Sequence, residues 1–402
     1  MNWFTFVCLS IVFLVTPFQW GLYYESDIYP WERVIFGLFV LNVIWYWIKK
    51  PEVLLKNKNY LLVLLLPFMY VLTIPFALNP EGNWNTIFRF AAYSFFFLLL
   101  IWTKESPSIK KLYPLIFHLL GITFFVFAFA NLFNFIHLDE YMIGCTEERA
   151  CGPVRYPNTF GAIIGAYFFY TLTVVIHRKS IDWVSILFVH LTVGYGAILL
   201  HTYSRGSYII FAGTFVLVFL LLSKHWRKFL LFSISPLFLL FVVFNLLQHA
   251  GIIVTTDSRV LDFSPTTPNA AARIDFYKEA IVMSKESPWI GFGGESWTIY
   301  YPKYEKEVLG LNQVHNGYLD FLIEIGWIGI TIYALFFILL IYLIFKSRTV
   351  SSDKTHSVGV ILALTMLFGH GMVDYDFSYG TIWLLIFWLF AIGLREVDIK
   401  KR

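Results

Sequence analysis

The sequence is poor in charge. Only 14% of its 402 residues are Asp, Glu, Lys or Arg, against about 25% in a typical soluble domain. So few polar side chains cannot cover a water-facing surface. A soluble enzyme with a single anchor and a disordered chain are therefore both excluded. The net charge of +4 is too small for a nucleic-acid footprint, and no nucleic-acid partner is expected. Cysteine is scarce, at three residues. Cys8 lies in an apolar stretch, where it fills space. Cys145 and Cys151 flank Thr-Glu-Glu-Arg-Ala, with no His or second Cys pair nearby at ligand spacing, so no metal site is expected. A small disulfide between these two fits an oxidising compartment, although spacing alone does not show the geometry. Internal repeats, low-complexity tracts and flexible linkers are absent, and Met1-Asn2-Trp3-Phe4 has no basic region before it becomes apolar. The expectation is one membrane domain over 1–402 with no removable signal peptide.

Apolar residues make up 58% of the chain and aromatics 20%, with a mean hydropathy of +0.68. A spanning helix needs about 20 largely apolar residues. Stretches of that kind fall at 3–19, 31–48, 60–78, 87–102, 112–136, 158–177, 182–202, 206–223, 228–249, 317–345, 356–373 and 379–394. The expected fold class is all-α, a polytopic membrane protein of about 12 transmembrane helices. With the N-terminus inside, the inner connections collect Lys49, Lys50, Lys56, Lys58, Lys104, Lys110, Lys111, Arg178, Lys179, Lys224, Arg227, Lys228, Lys346, Arg348, Lys354 and the basic C-terminus. The short outer connections carry Arg33, Arg89, Arg149, Arg155 and Arg205, and no lysine. This asymmetry predicts a plasma-membrane protein with both termini inside.

One long outer loop, 250–316, has room for extramembrane structure. Its Asn269 precedes good helix formers, with Phe276, Ala280 and Met283 at i, i+4 and i+7 and Pro288 beyond the far end. An amphipathic surface helix is predicted. Arg273 sits early in it, a poor place for a cation that serves only the helix dipole; pairing with Asp275 or Tyr277 is the plainer role. Ser287-Pro288-Trp289-Ile290-Gly291-Phe292-Gly293-Gly294 reads as a tight turn rather than a phosphate cradle. His315-Asn316 then stands where the loop re-enters the membrane, and Asn316, Asp320 and Glu324 form a polar stripe at i, i+4 and i+8. Ionisable groups so near hydrocarbon usually face a cavity, a partner or a site. Gly326 and Gly329 permit a bend or close helix packing.

His315-Asn316, nine residues and Gly326-Trp327-Ile328-Gly329 reproduce H-[N/S/Q]-x9-G-x-x-G, and here the chain resembles the bacterial O-antigen ligase family. Relatives of that family include O-antigen polymerases and protein O-oligosaccharyltransferases. Tyr203-Ser204-Arg205-Gly206 at the end of a span, Arg273 leading into Pro288-Trp289-Ile290-Gly291-Phe292-Gly293, and Asp374 after the next-to-last span are similar too. Arg155-Tyr156-Pro157-Asn158 stands in for the more usual Asn-Pro-Asn. The likeness runs from about residue 150 to 375. It implies a fold of the membrane glycosyltransferase C type and an inverting, metal-independent transfer without cofactor. The donor would be a glycan on a polyprenyl diphosphate, and the acceptor a glycan, lipid or protein hydroxyl at the outer face of the cytoplasmic membrane.

These residues suit that chemistry. Cleavage at the sugar C1 expels a diphosphate, which needs fixed positive charge, and Arg205 and Arg273 supply it in bidentate form. The acceptor hydroxyl must lose a proton, for which His315 is the natural general base. Asn316 would orient His315 or the sugar, and Asp374 or Glu324 would hold the other ring nitrogen or the acceptor. Arg89 and Arg155 are outer-face candidates for gripping anionic substrate. A lipid-linked glycan flippase would instead favour mid-membrane charges and an inverted repeat, and a scaffold of envelope assembly would require neither the His nor the Arg residues. Whether a polymerase or a ligase is meant, the residues do not decide.

Overall fold

The structure is a computed structural model and describes residues 1–56, 58–132, 135–136, 149–178, 182–221, 268–301, 313–350 and 355–394. Every regular element among the described residues is helical. Among the described residues, seven helical runs, the composite Asn59–Phe76 included, are long and apolar enough to cross a membrane, and four more are shorter apolar helices. All but one of the apolar stretches read from the sequence fall on these elements; 228–249 lies outside the described residues, as does Cys145. The stretch 60–78 is no single helix. It is a 3-10 segment (Lys58–Leu64), the helix Leu65–Leu72 and a second 3-10 segment (Ile74–Phe76), with Pro67 and Pro75 in the run. Seven spans of full length, four shorter helices and one undescribed stretch leave the expected number of twelve open.

The chain divides into two compact units, and the boundaries fall near Leu120, Thr266, Ser352 and Gly371. The first unit is built on the helix Pro80–Thr103 and the wholly buried Gly380–Gly393. Aromatic rings hold it: Trp388 stacks on Phe13 with centroids 4.2 Å apart, and Trp383 meets Phe90 at 5.0 Å. Both indoles also find acceptors, Trp388 at the Tyr113 carbonyl (3.0 Å) and Trp383 at that of Phe377 (2.8 Å). Buried donors in an apolar setting need such partners. Thr5 and Asn42 hydrogen-bond across two helices, and Lys104 donates to the Ala391 and Leu394 carbonyls at the end of the last helix. A cation there satisfies orphan carbonyls and complements the helix dipole.

The second unit is centred on Pro157–His177, flanked by Trp183–His201 and Thr355–His370. Small residues allow close approach. A Cβ at Gly161 would lie 2.3 Å from the Ser207 hydroxyl oxygen, and one at Gly165 2.7 Å from the end of Met366. Ser207 links this packing to polar groups, with its Oγ 3.0 Å from His370 Nε2 and 2.9 Å from Ser204 Oγ. Cys151 is disulfide-bonded and Cys8 is free.

Candidate active site

The predicted loop helix is Pro268–Glu286. Its apolar face is the one expected: Phe276, Ala280 and Met283 are buried in a cluster with Trp297, Tyr300, Val314 and Ile323. Burial of that face fixes the rotation of the helix and so the direction of Arg273, one turn before Tyr277.

His315 and Asn316 precede the helix Gly317–Val350. Asn316 supplies the start signal: its Oδ1 accepts from the backbone N–H of Tyr318 (3.0 Å) and Leu319 (3.1 Å), satisfying two orphan donors. Its Nδ2 donates to the Met372 carbonyl (2.9 Å), tying the helix start to the segment that bears Asp374. His315 itself adopts φ +59°, a left-handed conformation uncommon outside glycine. The Tyr277 hydroxyl donates to the His315 carbonyl at 2.8 Å and secures that backbone. Burial first, and then the charges of Asp374 and Asp320, push the Tyr277 phenol above its ordinary value, so it stays protonated as a donor despite the opposing pull of Arg273.

Asp374 is 1% exposed and bridges two of the predicted residues. Its Oδ1 lies 3.2 Å from His315 Nδ1, and its Oδ2 accepts from Arg273 Nη2 at 3.1 Å. Arg273 Nη1 donates to the Val373 carbonyl at 3.1 Å. The pairing of Arg273 with Asp275 does not occur; Asp275 takes Lys278 instead (2.9 Å). The imidazole also lies parallel to Phe276 (12° between planes, centroids 6.2 Å) and edge-on to Tyr375 (4.7 Å). Held on Nδ1 and on its faces, the ring keeps Nε2 without a hydrogen-bond partner among the described residues. The His315 side chain is 12% exposed, and that of Arg273 30%.

Glu324 does not partner His315. Its Oε2 accepts from the Tyr70 hydroxyl (2.6 Å) and its Oε1 from the Glu295 backbone N–H (2.9 Å). Arg89 meets Glu25 (3.7 Å) and Glu295 (3.9 Å). A side-chain hydrogen bond joins those two carboxyls, which requires a proton on one of them. Burial, then Glu25 and Glu324, push Glu295 up to about 8 against the lowering effect of Arg89, so the proton resides there at neutral pH.

Arg205 and Arg155 belong to the second unit. Arg205 is the first residue of the helix Arg205–Leu221, just after Tyr203 at φ +48°. Arg155 (φ +54°) precedes Tyr156, which caps the helix Pro157–His177. Arg149 locks the two turns together, donating from Nε to the Thr202 carbonyl (2.9 Å) and from Nη2 to Asn158 Oδ1 (3.2 Å).

The signature glycine Gly326 has φ +62° and ψ −172°, a region essentially reserved for glycine, and it breaks the helix. The break frees backbone groups that the Gly-rich turn then satisfies. Phe292 and Gly293 donate to the Ile323 and Glu324 carbonyls (2.8 and 2.9 Å), while Trp327 and Ile328 donate to those of Pro288 and Trp289 (2.8 and 3.1 Å). The turn amides are therefore committed to protein and do not form an anion cradle. Tyr277, Phe276, Tyr375, Tyr70 and Glu295 were not singled out from the sequence as site residues; only the proximity of Phe276 and Tyr277 to Arg273, on the next helical turn, pointed to two of them.

Residues 190–334 match the family described as O-Antigen ligase. The matched segment includes Arg205, Arg273, His315, Asn316, Glu324 and the Gly326–Gly329 signature, whereas Arg89, Arg155 and Asp374 lie outside it. No curated protein matches the chain. The match supports an O-antigen ligase-like family. With its membrane-length apolar helices, the chain is supported as an integral membrane enzyme acting in surface polysaccharide assembly.

Proposed function

We propose that the protein is an inverting, metal-independent glycosyltransferase that moves a glycan from a polyprenyl diphosphate carrier to an acceptor hydroxyl at the outer face of the bacterial cytoplasmic membrane. The observation that carries this reading is Asp374 holding His315 by Nδ1 and Arg273 by its guanidinium at once. A carboxylate on Nδ1 fixes the tautomer that leaves the Nε2 lone pair as the base and favours the imidazolium formed when it takes a proton. The acceptor oxygen attacks C1 as its proton passes to Nε2. The C1–O bond to the carrier breaks with its electron pair, which leaves on the diphosphate. Arg273, held beside the base, balances that growing negative charge. Arg205 opens a helix whose N-terminal amides also favour an anion, and a cation placed there is best used by one. A guanidinium in this role supplies the fixed positive charge that a divalent ion provides in other diphosphate-leaving reactions. Arg155 and Arg89 serve as further substrate-binding groups, Arg89 through its hold on Glu295. Asn316 and Glu324 shape the site, the first as a cap and the second through Tyr70.

The test is transfer from a polyprenyl-diphosphate glycan by the reconstituted full chain with EDTA present. His315→Ala, Arg273→Ala and Arg205→Ala should each lose about 10²–10³ in rate. The size ladder of the product separates a polymerase from a ligase. Folded variants as active as wild type, or no transfer from any lipid-linked donor, would sink the assignment.

A further inference from the structure

Away from the His315 site, the first unit has a cavity of about 350 Å³ lined by Tyr29, Glu32, Arg33, Phe36 and Phe88. That volume falls within the range of small-molecule sites, about 300–1,000 Å³. Its polar lining is unusual. Glu32 is 8% exposed, and among the described residues its carboxylate makes no hydrogen bond and no ion pair: Arg89, whose charge acts on it, turns its guanidinium to Glu25 and Glu295, and the Tyr29 hydroxyl donates to Glu25 Oε2 at 2.9 Å. Arg33, the next residue, is exposed and forms no ion pair among the described residues. Both lie near the start of the apolar helix Glu25–Lys49, where a buried carboxyl without a hydrogen bond is costly. The other walls are apolar. Phe36 meets Phe88 edge-on (6.3 Å), and Phe88 stacks with Trp84 (6.0 Å), both rings being about half exposed. Exposed aromatic rings at the end of a span suit the level of lipid headgroups.

We propose that this cavity is a binding site for an aminophospholipid headgroup of the phosphatidylethanolamine type. The primary ammonium donates to Glu32, the neighbouring phosphate accepts from Arg33, and the acyl chains leave along Phe36 and Phe88. The adjacent acid and base reproduce, with opposite sign, the ammonium–phosphate order of a zwitterionic headgroup. A primary ammonium has three N–H donors for a buried carboxyl. A quaternary choline has none and is bulkier, and a glycerol headgroup lacks the positive charge. The site stands apart from the reading of His315 and does not depend on it.

The experiment is native mass spectrometry of the delipidated full chain titrated with phosphatidylethanolamine, phosphatidylcholine or phosphatidylglycerol of matched acyl chains. Wild type should bind phosphatidylethanolamine about tenfold more tightly than phosphatidylcholine, the value of roughly one charge-assisted hydrogen bond. Glu32→Ala and the isosteric Glu32→Gln should both erase that ratio. Arg33→Ala, at an exposed position that does not threaten folding, should weaken phosphatidylethanolamine severalfold. A wild-type ratio below about threefold, a ratio that survives in either Glu32 variant, or phosphatidylglycerol binding best would each overturn the site. If neither Glu32 variant can be purified, the wild-type ratio and Arg33→Ala decide it.

Discussion

At the residue scale, the chemistry rests on one carboxylate with two partners. Asp374 touches no substrate in the proposed reaction and acts as a positioning residue through His315 and Arg273. Replacing a carboxylate behind a catalytic imidazole leaves the geometry but loses tautomer control and charge, at a cost of about 10⁴ in kcat in a comparable arrangement. Asp374→Asn should therefore depress kcat by about 10² or more, with KM changed far less. Michaelis analysis of the transfer reaction checks this; a variant altered only in KM would place Asp374 in binding instead. Glu295 gives a prediction that needs no assay. Its carboxyl is raised from 4.5 to about 8 by burial and by Glu25 and Glu324. A group whose folded value lies above its unfolded one stabilises the fold fully below the unfolded value, and that contribution is lost as pH rises through the folded value. Thermal stability of the wild type should thus fall between about pH 4.5 and pH 8 relative to Glu295→Gln, in which the slope flattens. Equal slopes in the two proteins would show that the Glu25–Glu295 pair does not hold that proton.

At the element scale, the signature glycine does structural work. Gly326 breaks the helix so that residues 317–325 carry the polar stripe and the apolar run begins after it, and the turn 287–294 pairs with the exposed backbone on both sides. A Cβ at Gly326 would lie 2.4 Å from the Trp289 carbonyl carbon, in a conformation side-chain-bearing residues avoid. Gly326→Ala should accordingly destabilise the protein by about 1–3 kcal/mol or more and lower activity by displacing the loop helix. A thermal-shift measurement beside the transfer assay checks both. An unshifted melting temperature would mean that the break survives without glycine. The pattern H-[N/S/Q]-x9-G-x-x-G is thus legible as a joint: the His-Asn end starts a helix, and nine residues later glycine stops it.

At the scale of the molecule, the basic residues predict which side each connection faces. Lys285, in the loop helix, should be on the outer side and Lys49 on the inner. With Cys8 and the disulfide-forming cysteines replaced, Lys285→Cys should react with a membrane-impermeant maleimide in intact cells, whereas Lys49→Cys should react only after permeabilisation. The reverse pattern would invert the topology and place His315 on the cytoplasmic side.

The amino-acid sequence by itself determined the helical membrane class, the positions of most apolar helices and the amphipathic loop helix, and it singled out His315 and Arg273. These are local properties: the length of an apolar run, the period of a stripe, the chemistry of a side chain beside a glycine signature. Tertiary structure alone decided who meets whom. Asp374 or Glu324 stood equally open as the partner of His315. Packing of the loop helix on the start of Gly317–Val350, together with the Asn316–Met372 hydrogen bond, brought Asp374 to Nδ1, while Tyr70 and Glu295 drew Glu324 elsewhere. Arg89, read as a grip for substrate, found Glu25 and Glu295. The stretch at 60–78 had the hydropathy of a span, yet its prolines divided it among three short elements. Hydropathy records whether a side chain leaves water. Which neighbour then receives a buried charge depends on contacts between residues far apart in the chain, 254 positions for Tyr70 and Glu324, and no local pattern encodes those.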